Sequence, residues 1–190
     1  MFTDELVKEG LLLISNDQNH DLRIAFRCKL LSLLDGLHDG QRRRTQLAVL
    51  AIEKVLPIWE SVLPTDHTPK RALNLAEELL GGKITPDVIK NEIGRLWTHC
   101  DDLSCRYPEK QSAIMVGYGA IQAIRAALSQ KHFGCEGVTE ASTDMDVDPY
   151  DLDSAFCAMI AYSDGSDSQK RLEFWTWWLM SAVAVVVKID

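Results

Sequence analysis

The stretch SAIMVGYGAIQAIRAAL, residues 112–128, decides the fold of this chain. Its larger apolar side chains recur at helical spacing, and glycines and alanines lie between them on several faces. Small residues allow neighbouring helices to approach closely. We therefore predict that this stretch forms the central helix of a helical bundle.

Helical spacing of apolar residues extends over most of the chain. It is clear in residues 42–63 and again after Thr85, and no comparable alternating stretch indicates a β-strand. A length of 190 residues is typical of one domain with an ordinary hydrophobic core. The sequence predicts an all-α fold, a single-domain bundle (residues 1–190) of about eight helices.

Composition indicates a cytoplasmic protein that needs no cofactor. The five cysteines are odd in number and irregular in spacing, and no secretory segment precedes them, so we predict reduced thiols rather than a disulfide framework. The longest apolar run, from Phe174 to Val187, is shorter than the roughly 20 residues that span a bilayer. We expect this run to be a core helix and expect no membrane contact.

The excess of negative over positive charge is confined to one segment. The net charge is -8, yet no Lys or Arg lies between Lys131 and Lys170, where nine of the 28 acidic residues occur. Within this segment, residues 133–148 lose the helical spacing and form the one long loop that we predict. A localised negative field attracts a basic partner and repels nucleic acid, so we expect no nucleic-acid binding.

Alternating carboxylates at Asp144, Asp146 and Asp148 are typical of the start of an EF-hand calcium loop. The match then fails, because Pro149 occupies the position that requires glycine and Ala155 the position that requires a bidentate glutamate. We therefore predict no metal site.

A helix that begins at Pro149 is the alternative interpretation of the same acidic residues. Asp148 would cap it and Asp151 would lie in its first turn, where the helix dipole favours a carboxylate. This helix start leaves Asp144, Asp146 and Asp153 available for an interaction surface.

Few residues indicate catalytic chemistry. Asp66 and His67 could act as an acid–base pair, but the surrounding residues have the composition of a turn between helices. The spacing of Cys100 and Cys105 beside His99 does not fit a zinc site. Nucleophile elbows and phosphate-binding loops are also missing from the sequence, so we predict that the protein is not an enzyme.

Two other polar or aromatic groups allow more than one interpretation. The arginines at positions 42–44 form a basic cluster at a helix start, either solvated or paired with the acidic residues between Lys131 and Lys170. Trp175, Trp177 and Trp178 cover more than one helical face, so at least one of them is expected to reach the surface or a groove.

Short motifs distributed over about Asp21 to Val187 resemble a known family. They read Leu56-Pro57-Ile58-Trp59-Glu60, Pro64-x-Asp66-x-x-Pro69-x-Arg71-Ala72-Leu73, Gly81-Gly82-Lys83 and Arg171-Leu172-Glu173-Phe174-Trp175-x-Trp177-Trp178-Leu179. Together with the small-residue helix, they are similar to immunity family five, an all-α immunity-protein family of bacterial polymorphic toxin systems. The resemblance implies a cytoplasmic antidote that binds a cognate toxin domain. We assign Pro64, Asp66, Pro69 and Arg71 to shaping a turn.

The acidic surface is the predicted toxin-binding site, and its members are Asp144, Asp146, Asp148, Asp151 and Asp153. Toxins that cleave nucleic acids bind phosphates with Lys and Arg, so a row of carboxylates can occupy such a cleft, and we expect a basic toxin as partner. The protein itself is expected to be a monomer or homodimer.

Two other classes of function remain open. A small-molecule-binding protein or enzyme would have a pocket lined by Trp175, Trp178 and Tyr118, with His67 or His99 supplying chemistry. A structural dimer module would instead use exposed tryptophans as its interface.

Overall fold

The computed structural model of the protein describes residues 2–128 and 135–189, and within these ranges it is all-helical, with eight helices and no strand. The helices are α1 (Phe2–Asn16), α2 (Ile24–Asp35), α3 (Gly40–Val62), α4 (Thr68–Leu80), α5 (Pro86–Arg106), α6 (Gln111–Leu128), α7 (Ser154–Tyr162) and α8 (168–187). α8 comprises Ser168–Trp177, a π-helical turn at Trp178–Ala182 and Val183–Val187. The predicted all-α class is confirmed.

α6 lies at the centre of the bundle, as its small residues predict. It packs against α3, α4, α5 and α7. A Cβ atom on Gly117 would lie 2.7 Å from the Cys100 sulfur and 2.9 Å from the Trp59 ring, and one on Gly119 would lie 2.9 Å from the Cys157 Cβ. The two glycines therefore set the distance between α6 and its neighbours.

The arginine cluster at the start of α3 is not solvated as a whole, because Arg43 and Arg44 are buried. Arg43 donates hydrogen bonds to the backbone carbonyls of Val186, Val187 and Ile189, with distances of 2.7, 2.9 and 2.5 Å. Arg44 forms an ion pair with Asp35. The cluster thus fastens the end of α8 to α3. The predicted alternative, pairing with the acidic residues between positions 131 and 170, is wrong for both buried arginines, since their partners lie elsewhere.

The run from Phe174 to Val187 forms part of α8, where Trp175 and Trp178 are buried and Trp177 is half-buried. The predicted core helix is therefore confirmed. In the described ranges, no helix combines the length and the apolar composition needed to cross a membrane.

We expect that Gly117→Ala lowers the free energy of unfolding. The added methyl group meets the rigid Trp59 ring, and overpacking of this kind costs about 1–3 kcal/mol, against a gain of about 1 kcal/mol from helix propensity. Gly94→Ala on α5 is the matched control, because no atom beyond its chain neighbours and the backbone of its own helix lies within 4 Å of its Cβ position. Urea unfolding should show the control to be more stable than the wild type by about 0.5–1 kcal/mol. Equal gains in both variants would contradict the close approach at Gly117.

Candidate functional site

We define the acidic segment as residues 135–153, which precede α7. It contains all five predicted toxin-binding aspartates, and its regular structure consists of two short 3₁₀ turns, Asp144–Asp146 and Pro149–Asp151. The predicted helix start at Pro149, with Asp148 as its cap, is confirmed only for a single 3₁₀ turn, Pro149–Asp151. Asp148 does accept a hydrogen bond from the Tyr150 backbone N–H, but Leu152 is extended and ends the turn. The α-helix begins only at Ser154, where Asp153 is the N-cap and accepts from the Phe156 N–H at 2.9 Å.

A buried arginine from α2 holds the acidic segment at two points. The Arg27 side chain is 1% exposed, and its Nε donates to Asp153 Oδ2 at 2.7 Å while its Nη2 pairs with Asp144 Oδ1. Nη1 also donates to the Leu22 carbonyl at 2.5 Å. The guanidinium thus contacts both carboxylates and the backbone, so two of the five predicted residues are fixed by one side chain.

The charge of Arg27 is stabilised where it lies. Burial lowers the pKa of its guanidinium, but the adjacent Asp153 and Asp144 carboxylates outweigh burial and raise the pKa above its ordinary value. The rings of Phe156 and Trp175 lie 5.3 and 5.5 Å from the guanidinium carbon, close enough for cation–π attraction. Arg27 is therefore cationic throughout the physiological pH range.

The three remaining predicted aspartates differ from one another. Asp151 pairs with Arg125 Nη2 at 2.8 Å. Asp146 and Asp148 are exposed, and neither forms an ion pair with a described residue. Their carboxylates accept hydrogen bonds within the segment, Asp146 from Thr143 and Asp148 from the Tyr150 N–H. The bonds from Thr143 lower the pKa of Asp146. Asp146 and Asp148 are thus both accessible to a partner.

Apolar side chains accompany these two carboxylates on the surface. Met145 is 92% exposed and Tyr150 is 54% exposed. Exposed apolar residues bordered by charged ones have the composition of a protein–protein interface, which has an apolar centre and a polar rim.

A disulfide joins Cys28 on α2 to Cys135 at the start of the acidic segment, with the two Cα atoms 5.5 Å apart. The predicted reduced state is therefore wrong for this pair, whereas Cys100, Cys105 and Cys157 are free. Spacing along the chain could not reveal the pair, because 107 positions separate its members. The bond anchors the segment beside Arg27, the residue that precedes Cys28 on α2.

The turn at Pro64–Pro69 carries the other candidate chemistry. Asp66 Oδ1 accepts from the Thr68 N–H at 2.8 Å, and Oδ2 lies 2.6 Å from His99 Nε2. Burial raises the Asp66 pKa, but the bonds from Thr68 and His99 outweigh it and lower the pKa below its usual value. Burial raises the pKa of the neighbouring Cys100 thiol to about 12, so no thiolate nucleophile lies beside the pair at neutral pH. His67 is exposed and makes no such contact with Asp66.

The aromatic pocket of the alternative hypothesis is divided between two places. Trp175 and Trp178 contact each other in the core, whereas Tyr118 lies against Trp97 on α5. Trp178 lines a small cavity of about 50 Å³ together with Arg27, Gln122 and Leu152. This volume admits only a few water molecules.

Comparison with protein families settles the resemblance. The family described as immunity protein Imm5 matches residues 7–185. The chain belongs to the Imm5 family. Comparison with curated proteins found no match.

The turn motif of this Imm5 protein is structural in its contacts, since Asp66 bonds Thr68, Pro69 is buried and Arg71 pairs with Glu92.

Arg27 is the site residue that sequence reasoning missed. Its partners lie 117 and 126 positions away, which no local pattern reports. One signal was available, since Arg27 stands between Phe26 and Cys28 on a helix whose neighbouring residues are apolar. A lone arginine in such a setting indicates a buried ion pair.

We expect Arg27→Met to lower the free energy of unfolding by about 3–5 kcal/mol, because it leaves two carboxylates without their counter-charge. Lys29→Met on the same helix is the control. Its pair with Glu9 is 49% and 46% exposed, so its loss should cost less than about 1 kcal/mol. Chemical denaturation measures both variants. Similar losses in the two would show that Arg27 does not anchor the segment.

Removal of the disulfide should destabilise the protein through the long loop that it closes. We expect Cys28→Ser with Cys135→Ser to lower the free energy of unfolding by about 2–5 kcal/mol, and Cys105→Ser, at an exposed free thiol, to leave it unchanged. A thiol reagent applied to unfolded, unreduced protein should modify Cys100, Cys105 and Cys157 alone. Labelling of Cys28 and Cys135 as well would contradict the pairing.

Proposed function

We propose that this Imm5 protein is a stoichiometric antidote that binds its cognate toxin domain through the acidic segment. Family membership supports binding to a toxin, and the charge of the segment supports the choice of surface. The observation that carries the proposal is the exposure of Asp146 and Asp148, which lie on either side of Val147 between the two 3₁₀ turns, without an ion pair to a described residue. Carboxylates in this state can pair with a partner at no cost of breaking an internal ion pair.

The five predicted toxin-binding residues then have two roles. Asp146 and Asp148 contact the toxin. Asp144, Asp151 and Asp153 position the segment through Arg27 and Arg125. Rigid anchoring favours affinity because a preordered loop loses little conformational entropy when it binds.

The proposed partner is a basic toxin domain. A cleft that binds phosphates carries Lys and Arg, and a fixed pair of carboxylates can occupy it in place of two phosphates. On this proposal the antidote inhibits by occupying the cleft and performs no catalysis itself.

The proposal places the protein in the cytoplasm, where the toxin would otherwise act. Thiols predominate in that compartment, so Arg27 rather than the Cys28–Cys135 bond would hold the segment there. The ion pairs of Arg27 are independent of redox state, which makes the proposed interface compatible with a reducing environment.

The test uses the toxin domain encoded beside the gene for this protein, purified in a catalytically inactive form. We expect Asp146→Asn with Asp148→Asn to weaken its binding about fivefold, since two exposed charge pairs contribute about 1 kcal/mol together. The loss should lie mainly in the association rate, and the dependence of affinity on salt should decrease. Titration calorimetry and binding kinetics at several salt concentrations measure both.

Asp87→Asn with Glu109→Gln is the matched control, since it removes two exposed carboxylates near the two ends of α5. It should retain wild-type affinity. If both double variants bind as the wild type does, the acidic segment is not the interface. If the toxin domain does not bind the wild-type protein at all, the proposed function is refuted.

A further inference from the structure

Three aromatic rings contact one another where the acidic segment meets the bundle. The Trp97 ring on α5 lies 4.9 Å from the Tyr118 ring on α6 and 5.0 Å from the Tyr150 ring of the segment, measured between centroids. Tyr150 is exposed, and the other two rings are half-buried. We call these three residues the aromatic cluster.

An aspartate accepts a hydrogen bond from each of the two tyrosines of the aromatic cluster. The Tyr118 hydroxyl donates to Asp101 Oδ1 at 2.7 Å, and the Tyr150 backbone N–H donates to Asp148 Oδ1 at 2.9 Å. Both aspartates are exposed, and neither forms an ion pair with a described residue. Burial and the bond to Asp101 raise the pKa of Tyr118, so its ring stays neutral and electron-rich at physiological pH.

Two arginines close to the aromatic cluster in sequence or in contacts have other partners. Arg125 donates to the Tyr150 carbonyl and pairs with Asp151. Arg95 precedes Trp97 by two positions, which places it on a different face of α5, and it lies 3.6 Å from Glu92. In the described ranges, no cation–π pair involves a ring of the aromatic cluster.

A partly exposed aromatic cluster beside carboxylates matches the chemistry of arginine. A guanidinium is planar and weakly hydrated, so it stacks on an aromatic ring while its N–H groups bond a carboxylate. A lysine ammonium is compact and strongly hydrated, and it gains less from the rings. Trp, Tyr and Arg are also the residues in which interface binding energy concentrates.

We propose that the aromatic cluster, with Asp101 and Asp148, is the site at which an arginine side chain of the toxin docks. The inference rests on the proposed function for the identity of the partner. It extends the interface from the acidic segment onto α5 and α6 and names the residue type that the toxin presents there.

The first test needs no toxin. N-acetyl-argininamide is titrated into the full-length protein, with N-acetyl-citrullinamide as its uncharged isostere, while the indole N–H resonance of Trp97 is followed by NMR. We expect that resonance to shift with the arginine compound alone, and the shift to disappear in Tyr150→Ala and to weaken in Asp101→Asn. An absent shift, or equal shifts with both compounds, would overturn the arginine site.

The second test measures toxin affinity. Tyr150→Ala should weaken binding about thirtyfold, as a central interface residue does, and should leave the salt dependence unchanged. Tyr150→Phe should bind as the wild type does, because the ring is kept. Tyr107→Ala, at a half-buried tyrosine beyond the far end of α5 that already contacts Lys110, is the control and should also leave binding unchanged. Thermal unfolding checks that each variant is folded.

The outcomes separate the two proposals. If Asp146→Asn with Asp148→Asn weakens toxin binding while Tyr150→Ala does not, the acidic interface stands and the arginine site is refuted. If the toxin domain does not bind the wild-type protein, the proposed function fails, and the argininamide titration alone then decides whether the cluster binds a guanidinium.

Discussion

A buried positive charge must be matched by negative charge at hydrogen-bond distance, and Arg27 imposes this requirement on the whole candidate site. Its guanidinium lies in the core, so Asp144 and Asp153 must reach it from the acidic segment. The segment is consequently fixed near both ends of its ordered turns although it contains little regular structure. The accessible carboxylates and the exposed ring of Tyr150 take their positions from that anchor.

The sequence predicted the fold well because helical bundles depend on local signals. Apolar spacing located the helices, and the small residues of α6 indicated its central position, since both depend on neighbouring residues in the chain. The localisation of negative charge was also readable, because it is a matter of composition. The match of the sequence motifs to a family indicated the class of function. Physical reasoning on the residues alone had left three classes of function open.

The internal connections of the site could not be predicted in the same way. Arg27, Arg125 and Cys28 meet partners that lie far along the chain. The sequence left open whether the arginines at the start of α3 are solvated or paired with acidic residues. Long-range pairing depends on the packed arrangement of helices, which no local pattern specifies. The acidic residues were therefore counted as one surface, whereas the structure divides them into anchors and accessible groups.

The contact between Arg43 and the carbonyls after Val185 has a consequence for the order of synthesis. The residues that receive its hydrogen bonds follow it by 143 to 146 positions. At a translation rate of about 5–20 residues per second, they are made roughly 7 to 30 seconds after Arg43 itself. Until then the guanidinium of the nascent chain must remain in water. The start of α3 therefore cannot pack completely while the ribosome is still producing α8. Completion of the bundle is therefore a late event, at or after the end of translation of this region.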